Sequence, residues 1–180
     1  MVNKKYVKAN SLYEDSFRLA RKIYDSGFRP DVVLAIWRGG APIGIVIQEF
    51  LEYKKAGNIH AVIKASSYHG RDRSEKVNVY GLKAILKTVK NLKQRKILLI
   101  DDVFDTGNTL NTILNIIPKS FEAKIAVLYF KPKNNRTNII PDYWIHKTES
   151  WIVFPHNLVE LTDAEIKRKN PNLYKIITGK

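Results

Sequence analysis

The chain has 180 residues, 44% hydrophobic and 27% charged, the composition of a soluble globular domain rather than a disordered or fibrous chain. No apolar run approaches the ~20 residues a membrane span needs, and the absence of cysteine excludes disulfides and thiolate metal sites. Lys and Arg outnumber Asp and Glu by 31 to 17, a net +14, so the partners to expect are anions, either a small polyanion or nucleic acid.

The N-terminus is basic with no apolar signal core behind it, which predicts a cytoplasmic protein. Ser11 and Glu14 have capping-box spacing, predicting a helix from Leu12 with Leu19, Ala20 and Ile23 on its apolar face and Gly27 at its end. Asp31 to Trp37 reads as a buried parallel strand, Arg38, Gly39 and Gly40 as a turn, and Pro42 as the start of a second helix. Ile59 to Ala65 is a further strand. The polar stretch from Ser66 to Asn78 reads as a long loop, with Val77 to Leu82 returning as a strand.

A helix is expected from about Ala84 to Leu92, and Lys83, Lys87 and Lys90 have the i, i+4, i+7 spacing of one helix side, a solvated face. No aromatics interleave with these lysines as a single-strand binder requires, so nucleic acid is not an expected partner. After the strand Ile97 to Ile100, a helix with Leu110, Ile113, Leu114 and Ile117 facing the core ends at Pro118. Ala123 to Phe130 is again a strand, residues 131–141 a loop, and 143–145 and 151–154 short strands. Thr162 to Glu165 caps a last short helix, and the tail from Asn170 reads as peripheral. Strands alternate with helices and no linker divides the chain, which predicts one α/β domain over residues 1–180 with a mostly parallel twisted sheet flanked by helices. Ligands of such sheets bind outside the carboxyl ends of the strands, which predicts one shared edge for Arg38, Asp101 and Lys131.

The most informative stretch is Ile97 to Leu110. Four branched apolar residues lead to Asp101 and Asp102, and a hydroxyl-rich turn with Gly107 opens a helix. Backbone N–H groups of Thr106, Gly107, Asn108 and Thr109 can face a phosphate at the helix N-terminus. Gly107 permits an unusual φ and a close approach. Asp101 and Asp102 are acceptors for vicinal ribose hydroxyls, and either can reach Mg²⁺. A plain strand–loop–helix whose acidic pair caps the helix is the alternative reading.

With its strand and acidic doublet, this stretch resembles the phosphoribosyl-pyrophosphate (PRPP) signature of the type I phosphoribosyltransferases. The resemblance implies their fold, with a small hood built from a flexible loop and C-terminal segments (about 60–82 and 131–160). Over roughly residues 30–157 it is closest to the purine branch. Arg38, Gly39 and Gly40 resemble the pyrophosphate loop, where glycine N–H groups and a bidentate Arg38 would hold the diphosphate. Ser67 and Tyr68 resemble the hood that closes over PRPP and excludes water. Lys131 resembles the lysine that donates to O6 of a 6-oxopurine. Trp151 and Ile152 resemble the segment whose aromatic ring stacks on the purine and whose backbone reads the base edge.

Asp105 resembles the acid of the hypoxanthine–guanine–xanthine enzymes that sits in the 5′-phosphate turn and exchanges a proton with N7. The resemblance therefore implies a Mg²⁺-dependent purine-salvage transferase, with Asp102 as metal ligand. PRPP, a purine base, a nucleoside monophosphate and pyrophosphate are its implied partners, and a dimer or tetramer its implied state. A PRPP-sensing nucleic-acid-binding regulator on the same fold and an adenine enzyme are the alternatives. One departure stands out. Relatives commonly place an acidic residue shortly after the aromatic–Pro segment, whereas here Pro155 is followed by His156 and Asn157.

Overall fold

The apolar runs become the middle of a sheet. The structure is a computed structural model and describes residues 3–69, 75–92, 95–159 and 161–179, with backbone alone at 67–69 and 75–76. The chain forms two compact units, Tyr13–Glu149 and a smaller one made of Met1–Leu12 with Ser150–Lys180. The elements in chain order are β1 (Lys4–Tyr6), α1 (Ala9–Asp25), β2 (Val32–Trp37), α2 (Gly40–Tyr53), β3 (Ile59–His69), β4 (Glu75–Tyr80), α3 (Leu82–Val89), β5 (Lys96–Phe104) and α4 (Asn108–Ile116). They continue with β6 (Glu122–Phe130), a single 3₁₀ turn (Pro132–Asn134), β7 (Tyr143–Lys147), β8 (Trp151–Val153), α5 (Asp163–Lys169) and α6 (Pro171–Thr178).

The larger unit holds a six-stranded sheet in the order β4-β3-β2-β5-β6-β7. All pairs are parallel except β3 with β4. Side chains alternate across it. Val32, Leu34, Ile36, Ile97, Leu99, Ile125 and Val127 face one way into a cluster with Leu82 and Val89 of α3 and Leu110 and Ile113 of α4. Each such side chain removed from water stabilises the fold by about 1.5–3 kcal/mol. On the other face α2 presses directly on β2, where a Cβ at Gly44 would meet that of Ala35 at 2.7 Å. In the smaller unit β1 pairs in parallel with β8, Lys4 opposite Trp151. Thr162 and Glu165 form the expected capping box at the start of α5. Among the described residues no helix is long and apolar enough to cross a membrane.

Several boundaries differ from the expectation. α1 begins at Ala9, because the Leu12 N–H already bonds the Lys8 carbonyl; Ser11 therefore lies inside the helix and caps nothing. α2 begins at Gly40, with Pro42 in its first turn, where its missing N–H is not needed. The stretch read as a long loop is largely β3 running on to His69 and β4 returning from Glu75. An edge hairpin bonds through its backbone and needs no apolar pattern on both faces, so its polar sequence hid it. The tail from Asn170 contains α6, whose N-cap Asn170 accepts from the Leu173 N–H. The three-residue β1 was too short to show any period.

Candidate active site

β5 does not stop before its acidic pair but continues through Asp101 and Asp102 to the buried Phe104. The Phe104 ring meets Phe130 of β6 edge-on at 5.5 Å and anchors the turn that follows. Gly107 takes φ +82°, and a Cβ there would lie 2.8 Å from the Phe104 ring and 2.5 Å from the Thr137 hydroxyl. Both conformation and space therefore require glycine. A cavity of about 70 Å³ opens at this turn, lined by Asp105, Thr106, Gly107 and Thr109 together with Asp101. Asn108 is not among the lining residues, and its N–H faces the Thr106 hydroxyl at 3.4 Å. The Thr106 carbonyl accepts from the Arg136 N–H at 2.9 Å, tying the loop after the 3₁₀ turn to the signature.

The acidic pair is held by its own backbone. Asp102 N–H donates to Asp101 Oδ1 at 2.9 Å and Val103 N–H to Asp102 Oδ1 at 2.8 Å. Burial, and next the negative charge of Asp102, push the Asp101 carboxyl well above the ordinary carboxylate range. Gly39 lies against the Asp102 carboxylate and Gly40 against the Ile100 carbonyl, with no room for a Cβ at either. Gly39 has ordinary helical dihedrals, so proximity to β5 rather than an unusual φ demands glycine there. The peptide bond between Trp37 and Arg38 is cis, and Arg38 is exposed. The expected pyrophosphate loop and the acidic pair thus meet at the carboxyl ends of β2 and β5.

Lys131 follows β6 directly, its N–H bonded to the Phe104 carbonyl at 2.9 Å. It is not a solvated loop lysine: it is only 4% exposed. Its ammonium lies 2.8 Å from Asp105 Oδ2, while Asn134 Nδ2 donates to Asp105 Oδ1 at 2.7 Å. Asn134 drew no attention in the sequence; its spacing of three from Lys131 is the one trace it left. Asp15 was equally hidden. It is 5% exposed on α1, bonded to Arg18 at 2.6 Å and to His146 Nε2 at 2.7 Å. The His146 ring stacks on Tyr129 at 4.9 Å, and this cluster ties α1 to β7.

Trp151 and Ile152 belong to the smaller unit. The Trp151 indole is 44% exposed, whereas Ile152 is buried, so any contact Ile152 makes with a ligand runs through its backbone. Asn157, at the departure noted above, closes the turn after β8 by accepting from the Phe154 N–H at 2.9 Å. The Lys169 ammonium donates to the Phe154 and Asn157 carbonyls at 2.7 and 2.6 Å, and burial lowers its pKa. Ser67 and Tyr68 continue the backbone of β3, but their side chains, and all of Arg71 and Arg73, lie outside the described residues.

Among the described residues no three His, Cys, Asp or Glu side chains converge on a possible metal site. Two adjacent carboxylates nevertheless suit Mg²⁺, which takes one or two protein oxygens and completes its shell with water and phosphate. A larger hollow of about 440 Å³, lined by Arg29, Asp31, Lys54 and Lys55, lies at the amino ends of β2 and β3, away from every residue named above as a site.

Comparison with known proteins gives the family of the chain. Residues 3–161 match the phosphoribosyl transferase domain. The chain is 31% identical to a xanthine-guanine phosphoribosyltransferase of Desulfotalea psychrophila, over 81% of each protein. Among solved structures it resembles a purine phosphoribosyltransferase from Pyrococcus horikoshii (TM-score 0.69, 30% identity, 88% of this chain and 97% of that one). A hypothetical protein from Neisseria gonorrhoeae with bound ppGpp shares the fold at TM-score 0.75 and 23% identity, covering 95% and 96% of the two chains. The domain match runs over most of the chain and takes in β1 and β8 as well as the main sheet, so this protein belongs to the phosphoribosyl transferase domain family.

Proposed function

We propose that the protein transfers the phosphoribosyl group of PRPP to N9 of a 6-oxopurine (hypoxanthine, guanine or xanthine), releasing pyrophosphate and the nucleoside 5′-monophosphate. The observation that carries the 6-oxopurine choice is the Lys131–Asp105 contact at the edge of the signature turn. A donor-only ammonium selects a carbonyl on the base, and a carboxylate beside it can exchange a proton with a ring nitrogen.

In this reading N–H groups of the Thr106–Thr109 turn hold the 5′-phosphate. Asp101 and Asp102 accept from the ribose hydroxyls. Arg38, exposed beside glycines that pack on β5, binds the diphosphate bidentately and stabilises its departure. Mg²⁺, when bound, compensates charge on the leaving diphosphate, and Asp102 would hold it. Lys131 holds O6, and Asp105 accepts the N7 proton as the bond from N9 to the ribose forms, while Trp151, whose indole is half-exposed, keeps the stacking role that the resemblance assigns it. Ser67 and Tyr68 keep the covering role that the resemblance assigns them, and a homo-oligomer belongs to the same reading.

The test is incubation with PRPP and Mg²⁺ against a panel of purines and pyrimidines, following nucleotide and pyrophosphate. Turnover of 6-oxopurines above adenine supports the reading. Turnover of adenine alone, or of no base, removes it.

A further inference from the structure

Asp105 is gripped from both sides by one short turn. A 3₁₀ helix has three residues per turn, so side chains three apart stand in register. The Asn134 N–H bonds the Lys131 carbonyl at 3.2 Å and closes the turn that brings both side chains onto the same carboxylate. The two bonds differ in kind. The lysine bond is ionic and its ammonium is buried; the asparagine bond is neutral and exposed. Asp105 itself is 39% exposed, so a ligand can approach the side of the carboxylate that Asn134 covers. The other titratable groups near it are Asp101, which lines the same small cavity, and Lys133 on the turn, which is exposed.

We propose that Asn134 is a positioning residue that holds Asp105 Oδ1 in the free enzyme and yields that oxygen to an N–H of the incoming base, while Lys131 stays on Oδ2. The inference rests on the reading above that Asp105 meets the base. Asn134 occupies the place the base N–H will take. It keeps the carboxylate aimed, and it is exchanged for the base donor with little reorganisation, since one N–H···O bond replaces another.

The test measures kcat and KM for PRPP and base against pH in the full chain with Asn134→Ala, Asn134→Gln and Asn134→Asp. A carboxylate at 134 beside Asp105 moves the acidic limb of the kcat profile to higher pH, lowering kcat at the acid end about tenfold. Asn134→Ala lowers kcat without raising KM for the base, because there is no bond to displace, and Asn134→Gln restores part of kcat. Profiles that superimpose on the parent, or a joint rise of both KM values with no movement in pH, overturn the proposal. Should the parent protein turn over no base, the functional reading fails on its own. Carboxylate ¹³C NMR titration of the free protein then decides the clamp: an Asp105 signal that titrates at the same pH in the parent and in Asn134→Asp rules it out.

Discussion

Two turns meet at the carboxyl edge of the sheet, and they are made differently. The one after β5 is shaped by its backbone: Gly107 at φ +82° fits between the Phe104 ring and the Thr137 hydroxyl, and the phosphate role proposed for this turn rests on its N–H groups. The one after β6 works through side chains: an ammonium and an amide close on Asp105 from a single 3₁₀ turn. A backbone site leaves glycine at positions where nothing else fits, so it tolerates almost no substitution. A side-chain site can lose one partner and still keep its frame. The costs of mutation should follow that division.

The largest effect is expected on the backbone side. Gly39→Ala drives a methyl group into the Asp102 carboxylate although its dihedrals suit alanine, so the pyrophosphate loop or the acidic pair must shift. Displacements of this size cost about a hundredfold or more in turnover, with thermal unfolding little changed because the loop is at the sheet edge. Normal turnover in this variant would show that the two elements are not required to touch.

Asp105→Asn comes next. It keeps the size of the side chain but removes the proton acceptor and turns one of the clamp's two donors against an NH2, so kcat should fall about 100-fold or more while KM for PRPP stays near its parent value. Unchanged kcat would take Asp105 out of the chemistry. Lys131→Met then fills the same buried channel without the charge. Losing a donor to O6 should raise KM for the base by about tenfold or more, equivalent to about 1–3 kcal/mol, and leave KM for PRPP alone. A base KM that does not move would reassign Lys131 to supporting Asp105.

The same division explains what could be read without coordinates. The acidic doublet, Gly107 and the glycines after β2 were visible because sterics dictate residue type at fixed spacing. The mostly parallel sheet was visible because strands buried on both faces, as β2, β5 and β6 are, read as continuously apolar. Asn134 was not visible, since its function comes from a carboxylate 29 residues away in sequence. Asp15 and His146, 131 residues apart, were hidden for the same reason. The return strand over 77–82 is legible, but the extension of β3 to His69 and the start of β4 at Glu75 read as loop, because an edge pair bonds through backbone and carries polar side chains freely. Lys131 was legible as a donor, but its burial was not: a lysine that directly follows a strand looks the same in sequence whether solvated or enclosed.

The smallest expected effect tests where strain is stored on the backbone side. Asp101 is pushed well above the ordinary carboxylate range by burial and by Asp102. A carboxyl raised in the fold favours the folded state fully below its unfolded pKa, and that contribution is lost as pH rises through the folded pKa. At neutral pH the parent therefore carries a cost, either of the desolvated charge or of the proton taken up to avoid it, that Asp101→Asn does not. The variant should melt a few degrees higher at neutral pH, and the gap should close as pH falls into the carboxylate range, where both side chains are neutral. PRPP binding should weaken in the same variant, because an amide accepts less strongly from ribose hydroxyls than a carboxylate does. A melting gap that persists unchanged into acid would mean that Asp101 is charged at no cost, and that the acidic pair stores no free energy for ligand binding to release.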